Sequence, residues 1–316
     1  MNIPAQRLAD KKWGVLNHYL FHSVCNPDAP QNKGYGAIPW NDAVNKLDVE
    51  RLAFNLHKMN VGYYFITLQQ GTAHLLAPNE TFDKIAGTKP GEACATRDIP
   101  MELSEALKKY DIDLCLYYTG DGPHFHPEIG KKMGFEGNQG DGTHVTRPFC
   151  EKWAAVLGEY AERYGDRVMA WWLDGFYAED FGYTNELREI FYNAIKKGNP
   201  DAYVAFNDGV KQGYWREFPK EEFVCGEQND LLIVPYSASI EGARGHILAP
   251  IGYDKNMVEW GGWSGLGLRH TKEYIRDFIR VVSGKGAVVT LDMFVDIDGS
   301  FDPEQEAALR WVGENL

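Results

Sequence analysis

Two carboxylates in this chain stand where apolar, strand-like segments end. Asp174 follows an apolar run with two tryptophans and precedes a glycine, and Glu227 closes the segment Phe223 to Gln228. An ionised carboxylate among so much aromatic surface is costly unless another group pairs or uses it. Two carboxylates on one rim are the arrangement for cleaving a glycosidic bond: one attacks the anomeric carbon, and the other hands a proton to the leaving oxygen.

Each of these carboxylates also has a purely structural interpretation. Asp174 fits an aspartate that caps a turn or pairs with an arginine. Glu227 fits an ion pair with a loop arginine such as Arg244 or Arg269. Spacing along the chain does not set the distance between side chains, so both interpretations stay open at this point.

A pair of histidines, His124 and His126, has the spacing of a metal-binding HxH motif. A metal site needs a third protein ligand with its own supporting contacts, and no further His or Cys lies at a fixed spacing from this pair. We therefore predict no metal here and expect loop histidines that are solvated or contact a sugar. The chain has no GxSxG elbow, P-loop or GxGxxG sequence, and we expect no cofactor.

The elements that must position these residues alternate between apolar strands and amphipathic helices. We predict strands near 13–20, 63–70, 113–120, 170–177, 203–208, 223–228 and 287–296, with a weaker seventh strand at about 251–263, and helices near 48–60, 101–111, 149–166, 185–197, 271–284 and from 302 onward. Apolar strands separated by helices indicate a parallel sheet covered on both faces. Short links before the strands and long loops after them favour a barrel over a doubly wound sheet.

We therefore predict an α/β chain that forms a single imperfect (β/α)8, TIM-like barrel over residues 1–316. The imperfection is expected at Gly209 to Glu222, which is too short and irregular for a full helix. Polar residues that end barrel strands meet at one face, where barrel enzymes keep their active sites. Those residues are His18, Gln69, Gln70, Asp121, Asp174, Asn207, Asp208, Glu227 and either Asp292 or Asp296.

Composition limits the partners. With 32 Lys and Arg against 45 Asp and Glu, the net charge of −13 argues against nucleic-acid binding. No apolar run reaches the ~18 residues of a membrane span and the start lacks a signal peptide, so we expect no membrane contact. The chain as it stands is expected in the cytoplasm, or in the periplasm or outside the cell if a leader was removed. Five scattered cysteines without a CxxC motif suggest free thiols.

Eight short segments, in order along the chain, carry a resemblance to a known family. They are WGVLNHY (13–19), NVGYYFIT (60–67), RDI (97–99), LYYT (116–119), WLDG (172–175), VSGKG (282–286), DGSF (298–301) and LRWVG (309–313). In order and spacing they resemble motifs of the α-L-fucosidase family of glycoside hydrolases (family twenty-nine). The resemblance covers almost the whole chain and implies the catalytic barrel alone, without the β-sandwich that many members carry after it.

The resemblance also implies roles for residues. The aspartate of the family's WxDG motif is the nucleophile, which corresponds to Asp174. Glu227 matches a sixth-strand glutamate that serves as acid/base in some members, and because that position varies, Glu241 and Glu259 are alternatives. The side chains expected to line the sugar pocket are His18, Gln69, Gln70, Trp172, Asn207 and Trp263.

The main departure from the family follows the second strand. Fucosidases have KHHDGF there, with histidines that hold sugar hydroxyls, whereas this chain has Leu68-Gln69-Gln70-Gly71. Gly209 also stands where some members supply a substrate-binding arginine. Changing the donors in a polar pocket changes which hydroxyl pattern is accepted.

The sequence therefore favours a retaining exo-glycosidase acting on an α-L-fucoside or a related sugar. Two alternatives remain: a carbohydrate-binding barrel that has lost catalysis, and an inverting glycosidase with a water between more distant carboxylates. The distance between the carboxyl groups of Asp174 and Glu227 discriminates between the two mechanisms.

Overall fold

Seven parallel strands form the central sheet of the structure, a computed structural model that describes residues 3–135, 144–254 and 261–316. The strands of the described residues are β1 (Trp13–Asn17), β2 (Tyr63–Thr67), β3 (Asp113–Thr119), β4 (Val168–Asp174), β5 (Tyr203–Phe206), β6 (Ser239–Ile240), β7 (Ala243–Arg244), β8 (His246–Pro250), β9 (Gly252–Tyr253), β10 (Gly261–Gly262) and β11 (Val288–Asp292). The sheet order is β5-β4-β3-β2-β1-β11-β8. All its neighbouring pairs are parallel, as the apolar strand pattern predicted.

The segment from Phe223 to Gln228 lies between the two edges of this sheet as an irregular sixth barrel strand. On the β8 side the backbone N–H of Gln228 donates to Leu248 and that of Leu248 donates to Gly226, at 2.9 and 3.0 Å. On the β5 side, the backbone N–H of Glu222 donates to the carbonyl oxygen of Val204 at 3.1 Å. The predicted TIM-like barrel is therefore confirmed, together with its irregularity between the fifth and sixth strands.

The position predicted for the seventh strand was wrong. The barrel strand is β8, and the chain after it forms a small antiparallel pair of β9 with β10. β8 pairs with β11 over its full length, from His246 opposite Val288 to Pro250 opposite Asp292. The short run HILAP has too few residues to show a hydrophobic periodicity. The predicted strand therefore lies too late in the chain, among the glycines and aromatic residues that follow this run.

Helices cover the outside of the sheet. The α-helices are α1 (Gln6–Lys11), α2 (Phe21–Val24), α3 (Trp40–Val44), α4 (Val49–Lys58), α5 (Glu80–Ala86), α6 (Ile99–Lys108), α7 (Pro127–Met133), α8 (Arg147–Tyr164), α9 (Ala178–Phe181), α10 (Asn185–Gly198), α11 (Lys272–Gly284) and α12 (Pro303–Glu314), with 3₁₀ turns at Pro30–Asn32 and Gly165–Arg167. Asp302 caps α12 by accepting from Glu304 and Gln305, with Pro303 at the first helical position as predicted. Asp48 and Asp98 cap α4 and α6 in the same way.

Two buried layers follow from the alternation of side chains along each strand. Outward residues such as Tyr118 and Trp171 pack with the helices in the larger cluster. Inward residues such as Tyr117, Trp172 and Leu248 fill the barrel in a second cluster. The inward layer is rich in aromatic rings, and it supports the side chains at the carboxyl ends of the strands.

All five cysteines are buried and free of disulfide bonds. Across the described ranges, the structure has no helix of the length and apolar character needed to cross a bilayer.

Candidate active site

Asp174 is the last residue of β4, and its side chain lies at the carboxyl-end rim of the barrel. The chain turns away at Gly175, whose φ of +70° is a conformation that glycine adopts without strain. Only 9 % of Asp174 is exposed, so its carboxylate depends on protein hydrogen-bond donors.

Three neutral donors hold this carboxylate. The Tyr117 hydroxyl donates to Oδ2, while the Asn207 amide and the Tyr177 hydroxyl donate to Oδ1 at 2.7 and 3.1 Å. Burial raises the pKa of Asp174, and the bonds from Tyr117 and Asn207 oppose that rise because they favour the charged form. Among the described residues, no arginine or lysine forms an ion pair with Asp174, unlike in the structural alternative.

Glu227 reaches the same rim from the irregular sixth strand. Gly226 precedes it with a φ of +62°, and a Cβ there would lie 1.9 Å from the carbonyl oxygen of His246. A glycine is therefore required for this segment to approach β8. The Glu227 side chain accepts a hydrogen bond from the Asn207 amide at 2.6 Å.

One amide nitrogen therefore bridges the two carboxylates. Asn207 Nδ2 is 2.7 Å from Asp174 Oδ1 and 2.6 Å from Glu227 Oε2, so these two oxygens lie at most about 5.3 Å apart, the two distances end to end. Burial and the negative charge of Asp174 raise the pKa of Glu227 to about 8. A pKa of about 8 favours the protonated form of Glu227 at neutral pH.

Neither arginine suggested as an ion-pair partner takes that role for Glu227. Arg244 donates to the carbonyl oxygens of Ile3, Pro4 and Gly286 at the other end of the barrel. Arg269 pairs with Asp230 at 2.6 Å.

Glu241, one of the two alternative acid/base residues, is not at this rim either. Glu241 lies on the hairpin of β6 and β7, and β7 precedes β8 at its amino end, opposite the candidate site. Its side chain accepts from the backbone N–H of Arg216 at 3.3 Å. Glu259 lies outside the described residues.

A cavity of about 290 Å³ opens beside the two carboxylates. The described residues that line it are His18, Leu20, His22, Ser23, Gln31, Gln70, Tyr117, Trp172, Asp174, Tyr177, Glu227, Leu248, Trp263 and Ser264. Four of the six predicted pocket residues, His18, Gln70, Trp172 and Trp263, are among them. Their roles toward a substrate remain predictions.

The other two predicted pocket residues, Gln69 and Asn207, do not line this cavity. Gln69 is fully buried, and its amide donates to the carbonyl oxygens of Thr72 and Gly122 and accepts from Thr119. It stabilises the loop behind the pocket wall. Asn207 is also fully buried and does not line the cavity, because its amide is held between the two carboxylates.

The side chains of His18 and Asp292 form a buried dyad where β1 and β11 end. His18 Nδ1 is 2.7 Å from Asp292 Oδ1, and the backbone N–H of Ser264 donates to Oδ2 at 2.6 Å. The His18 ring also meets the rings of Tyr117 and Trp263 edge-on, with centroids 5.4 and 6.0 Å apart. This dyad fixes the imidazole at the pocket wall.

The HxH pair contacts two different partners. His124 Nδ1 is 3.0 Å from Asp121 Oδ2, whereas His126 Nδ1 accepts from the backbone N–H of Ala73 at 3.0 Å. In residues 3–135, 144–254 and 261–316, no three His, Cys, Asp or Glu side chains come together as a metal site would require.

A family model described as Alpha-L-fucosidase matches residues 87–316, a segment that includes Asp174 and Glu227. The chain belongs to the α-L-fucosidase family. A comparison with curated proteins found no match.

Solved structures resemble this α-L-fucosidase family member across its full length. The endo-fucoidan hydrolase MfFcnA4 of glycoside hydrolase family 107 superposes with a TM-score of 0.70 at 12 % identity, covering 100 % of this chain and 55 % of that one. A family 29 α-L-fucosidase from Bacteroides thetaiotaomicron gives 0.66 at 17 % identity, covering 99 % and 74 %. At such identities the likeness shows the fold alone, and the chain spans about half of the endo-fucoidan hydrolase.

Two residues that contact Asp174 were missed from the sequence. Tyr117 lies inside the barrel on β3, and Tyr177 follows Asp174 by three residues. Asp292, which ends β11, was one of the two alternatives predicted for that strand end, and the structure places it beside His18. For the tyrosines, the alternation along LYYT could have placed Tyr117 inward, but aromatic rings are common in cores.

Proposed function

We propose that the chain is a retaining, exo-acting glycosidase that cleaves an α-L-fucoside or a glycoside of related stereochemistry. The Asn207 bridge carries this proposal, since it holds one oxygen of Asp174 and one oxygen of Glu227 within about 5.3 Å of each other. Retaining glycosidases place their carboxyl groups about 5–5.5 Å apart, whereas inverting ones need about 6.5–9.5 Å for a water. The short bridge therefore favours retention over inversion.

The protonation states fit the same roles. Asp174 accepts three hydrogen bonds that favour its ionised form, as a nucleophile requires. Glu227 has a pKa of about 8 because of burial and the charge of Asp174, as a general acid at neutral pH requires. A barrel that only bound carbohydrate would not need two buried carboxyl groups bridged by one amide.

The reaction then proceeds in two displacements. An Asp174 carboxylate oxygen attacks the anomeric carbon, the glycosidic C–O bond breaks, and the leaving oxygen takes the bond pair and the proton of Glu227. Glu227, now ionised, removes a proton from water, whose oxygen attacks the anomeric carbon. The bond to Asp174 breaks, which restores its carboxylate and frees the sugar with its original configuration.

The pocket fits one terminal sugar ring. Its volume of about 290 Å³ is at the lower end of the range for ligand sites, about 300–1,000 Å³. The Trp172 and Trp263 rings offer apolar faces, while His18 and Gln70 offer polar groups to hydroxyls. This mixture supports an exo-acting enzyme.

Specificity is expected to differ from that of ordinary fucosidases. Gln70 is the one member of the Gln69–Gln70 pair at the pocket, and its Nε2 donates to the Tyr117 hydroxyl at 2.8 Å. A single glutamine in place of two imidazoles changes the donors that meet the sugar hydroxyls. Discrimination by a hydrogen-bonding site reaches roughly 10⁴-fold, so we expect weak activity on simple aryl α-L-fucosides and better activity on another glycoside.

The decisive experiment is a panel of 4-nitrophenyl glycosides that includes the α-L-fucoside. NMR of the first-formed product on the best substrate should show the configuration of that substrate. Inverted product would overturn the retaining mechanism. A fucoside kcat/KM equal to that of dedicated fucosidases would contradict the proposed shift in specificity.

The acid/base assignment has its own test. Glu227→Ala should lose far more activity on alkyl glycosides than on activated aryl glycosides, because only poor leaving groups need the proton. Azide should restore the variant by attacking the glycosyl-enzyme in place of water. Glu241→Ala, at the other end of the barrel, is the matched control and should behave as wild type. Equal losses on both substrate types would exclude Glu227 from the role.

A further inference from the structure

A second cavity adjoins the candidate active site across Glu227. It has a volume of about 520 Å³, and its described lining residues are Tyr177, Glu179, Asp180, Asp208, Gly209, Val210, Lys211 and Glu227. Tyr177 and Glu227 also line the cavity that contains Asp174. Asp174 itself lines only the first cavity, so Glu227 stands between the two.

This arrangement assigns the second cavity a place in the reaction, provided that Glu227 is the proton donor of the proposed function. A general acid must touch the oxygen that joins the sugar to its leaving group. With the sugar beside Asp174, the leaving group extends past Glu227 on the side away from Asp174. The geometry points to the second cavity as the subsite for the leaving group, and to a leaving group that is a neutral or amine-bearing sugar rather than a sulfated or carboxylated one.

The charges that line the cavity support the second part of the inference, the preference for a neutral or amine-bearing leaving group. Its described lining residues contribute four carboxyl groups and one ammonium group, that of Lys211. Asp208 also pairs with Arg188 at 3.4 Å and Glu227 holds the proton that it donates, so the charge preference rests on the exposed Glu179. Lys211 Nζ is 2.9 Å from Asp208 and 2.8 Å from Glu217, so its charge is already shared between two carboxylates. The described residues that line the first cavity include no lysine or arginine.

Among the described lining residues of the two cavities, an anionic leaving group would thus meet the Glu179 carboxylate and one cation, Lys211, whose charge is already shared. A neutral sugar would meet the ring of Tyr177 and the side chain of Val210, which is 45 % exposed, as apolar surface for its C–H face. An ammonium group would gain from the nearby carboxylates, among which Glu179 is exposed. Because these charges are partly solvated, salt screens them, and the preference should weaken as ionic strength rises.

The test uses aryl glycosides of the best sugar from the panel, with leaving groups matched in pKa. One carries a trimethylammonium group, one is neutral and one carries a sulfate. We expect kcat/KM for the sulfated substrate to be about tenfold below that of the cationic one at low salt, with the gap narrowing at high salt. Glu179→Lys should reverse the order, and Glu179→Gln should reduce the gap.

The ratio of the charged to the neutral substrates is the readout, because a general loss of activity leaves that ratio unchanged. Glu314→Lys, on the exposed end of α12, changes net charge equally and is the matched control, expected to keep the wild-type ratio. Hydrolysis with the same ratio in wild type and Glu179→Lys would overturn the subsite while leaving the proposed function intact. Absence of hydrolysis on every glycoside of the panel would overturn both.

Discussion

The two ends of the barrel hold their carboxylates in opposite ways. At the amino end, Asp113 opens β3 and accepts two contacts from the Arg7 guanidinium, one of them at 2.9 Å, while Lys11 pairs with Asp111 at 2.9 Å. At the carboxyl end, Asp174 and Glu227 accept hydrogen bonds from amide and phenol groups that carry no charge. At the amino end, cations neutralise the carboxylates. At the carboxyl end, no cation among the described residues does so for Asp174 or Glu227, and these carboxyl groups are free to take part in a reaction.

This contrast separates structural carboxylates from reactive ones. The Lys11 ammonium group holds the pKa of Asp111 below its ordinary value, so Asp111 stays ionised over the working pH range. Burial without a cation raises the pKa of Glu227 to about 8, which places a proton where a reaction can use it. The volume of the adjoining cavity does not distinguish structural from reactive carboxylates, since the amino end also has a cavity, of about 510 Å³, lined by Arg7 and Asp113.

The largest expected effect comes from removing one carboxylate at each end. Asp174→Asn should lower kcat by 10³-fold or more, about the loss expected when a covalent step is removed, while leaving sugar binding nearly intact. Asp113→Asn should leave kcat near wild type and lower the melting temperature, because Arg7 loses its partner. The kcat and the melting temperature of both variants, measured by steady-state kinetics and thermal unfolding, test this difference. An Asp174→Asn enzyme with a tenth of the wild-type rate would exclude Asp174 as nucleophile.

A smaller effect is expected at the bridge between the carboxylates. Asn207→Ala removes the amide that lowers the pKa of both Asp174 and Glu227. Loss of one donor to each group should reduce kcat/KM by about 10²-fold and shift both limbs of its pH profile upward. Asn207→Ser, which keeps a smaller donor, is the control for misfolding. Its kcat/KM should lie between those of wild type and Asn207→Ala. A folded Asn207→Ala protein with an unshifted pH profile would show that the bridge does not tune the pair.

Tyr117→Phe should cost about tenfold, since it removes one neutral donor from Asp174. The hydroxyl favours the ionised carboxylate, so its loss should raise the pKa of Asp174 and move only the acidic limb of the kcat/KM profile upward. Tyr118→Phe is the neighbouring control, because its hydroxyl bonds to the carbonyl oxygen of Trp153 on the outer face of the sheet. Both limbs moving together in Tyr117→Phe would contradict a bond specific to Asp174.

The smallest expected effect concerns stability. The pKa of Glu227 is higher in the folded protein, about 8, than the ordinary value of about 4.3 expected when unfolded. Its protonated form therefore favours folding, and that contribution is fully present below the unfolded pKa and lost as pH rises through about 8. Glu227→Gln should melt at a higher temperature than wild type near pH 9 and at nearly the same temperature near pH 4. Asp111→Asn should show no such gain at alkaline pH, and a Glu227→Gln difference independent of pH would refute the linkage.

Local pattern was enough to predict much of the fold and the principal pair. The 3.6-residue spacing of apolar side chains located α4, α8 and α10, and Asp302 with Pro303 marked the start of α12. Asp174 and Glu227 were found because a carboxylate that ends an apolar strand is conspicuous without any knowledge of its neighbours. The resemblance to a family added an order of motifs that no single segment carries.

What only the tertiary structure decided depends on how neighbouring strands bring side chains together. The sequence alone determined that Asp174, Asn207 and Glu227 end consecutive strands, but the spacing of those strands and the turn at Gly226 put one amide between two carboxylates. His18 and Asp292 lie 274 residues apart and meet because β1 pairs with β11. Gln69 and Gln70 are adjacent in sequence, yet one is enclosed in a loop and the other faces the pocket, because successive side chains point in different directions. Periodicity depends on a residue's own segment, whereas hydrogen bonding depends on the segments that fold against it.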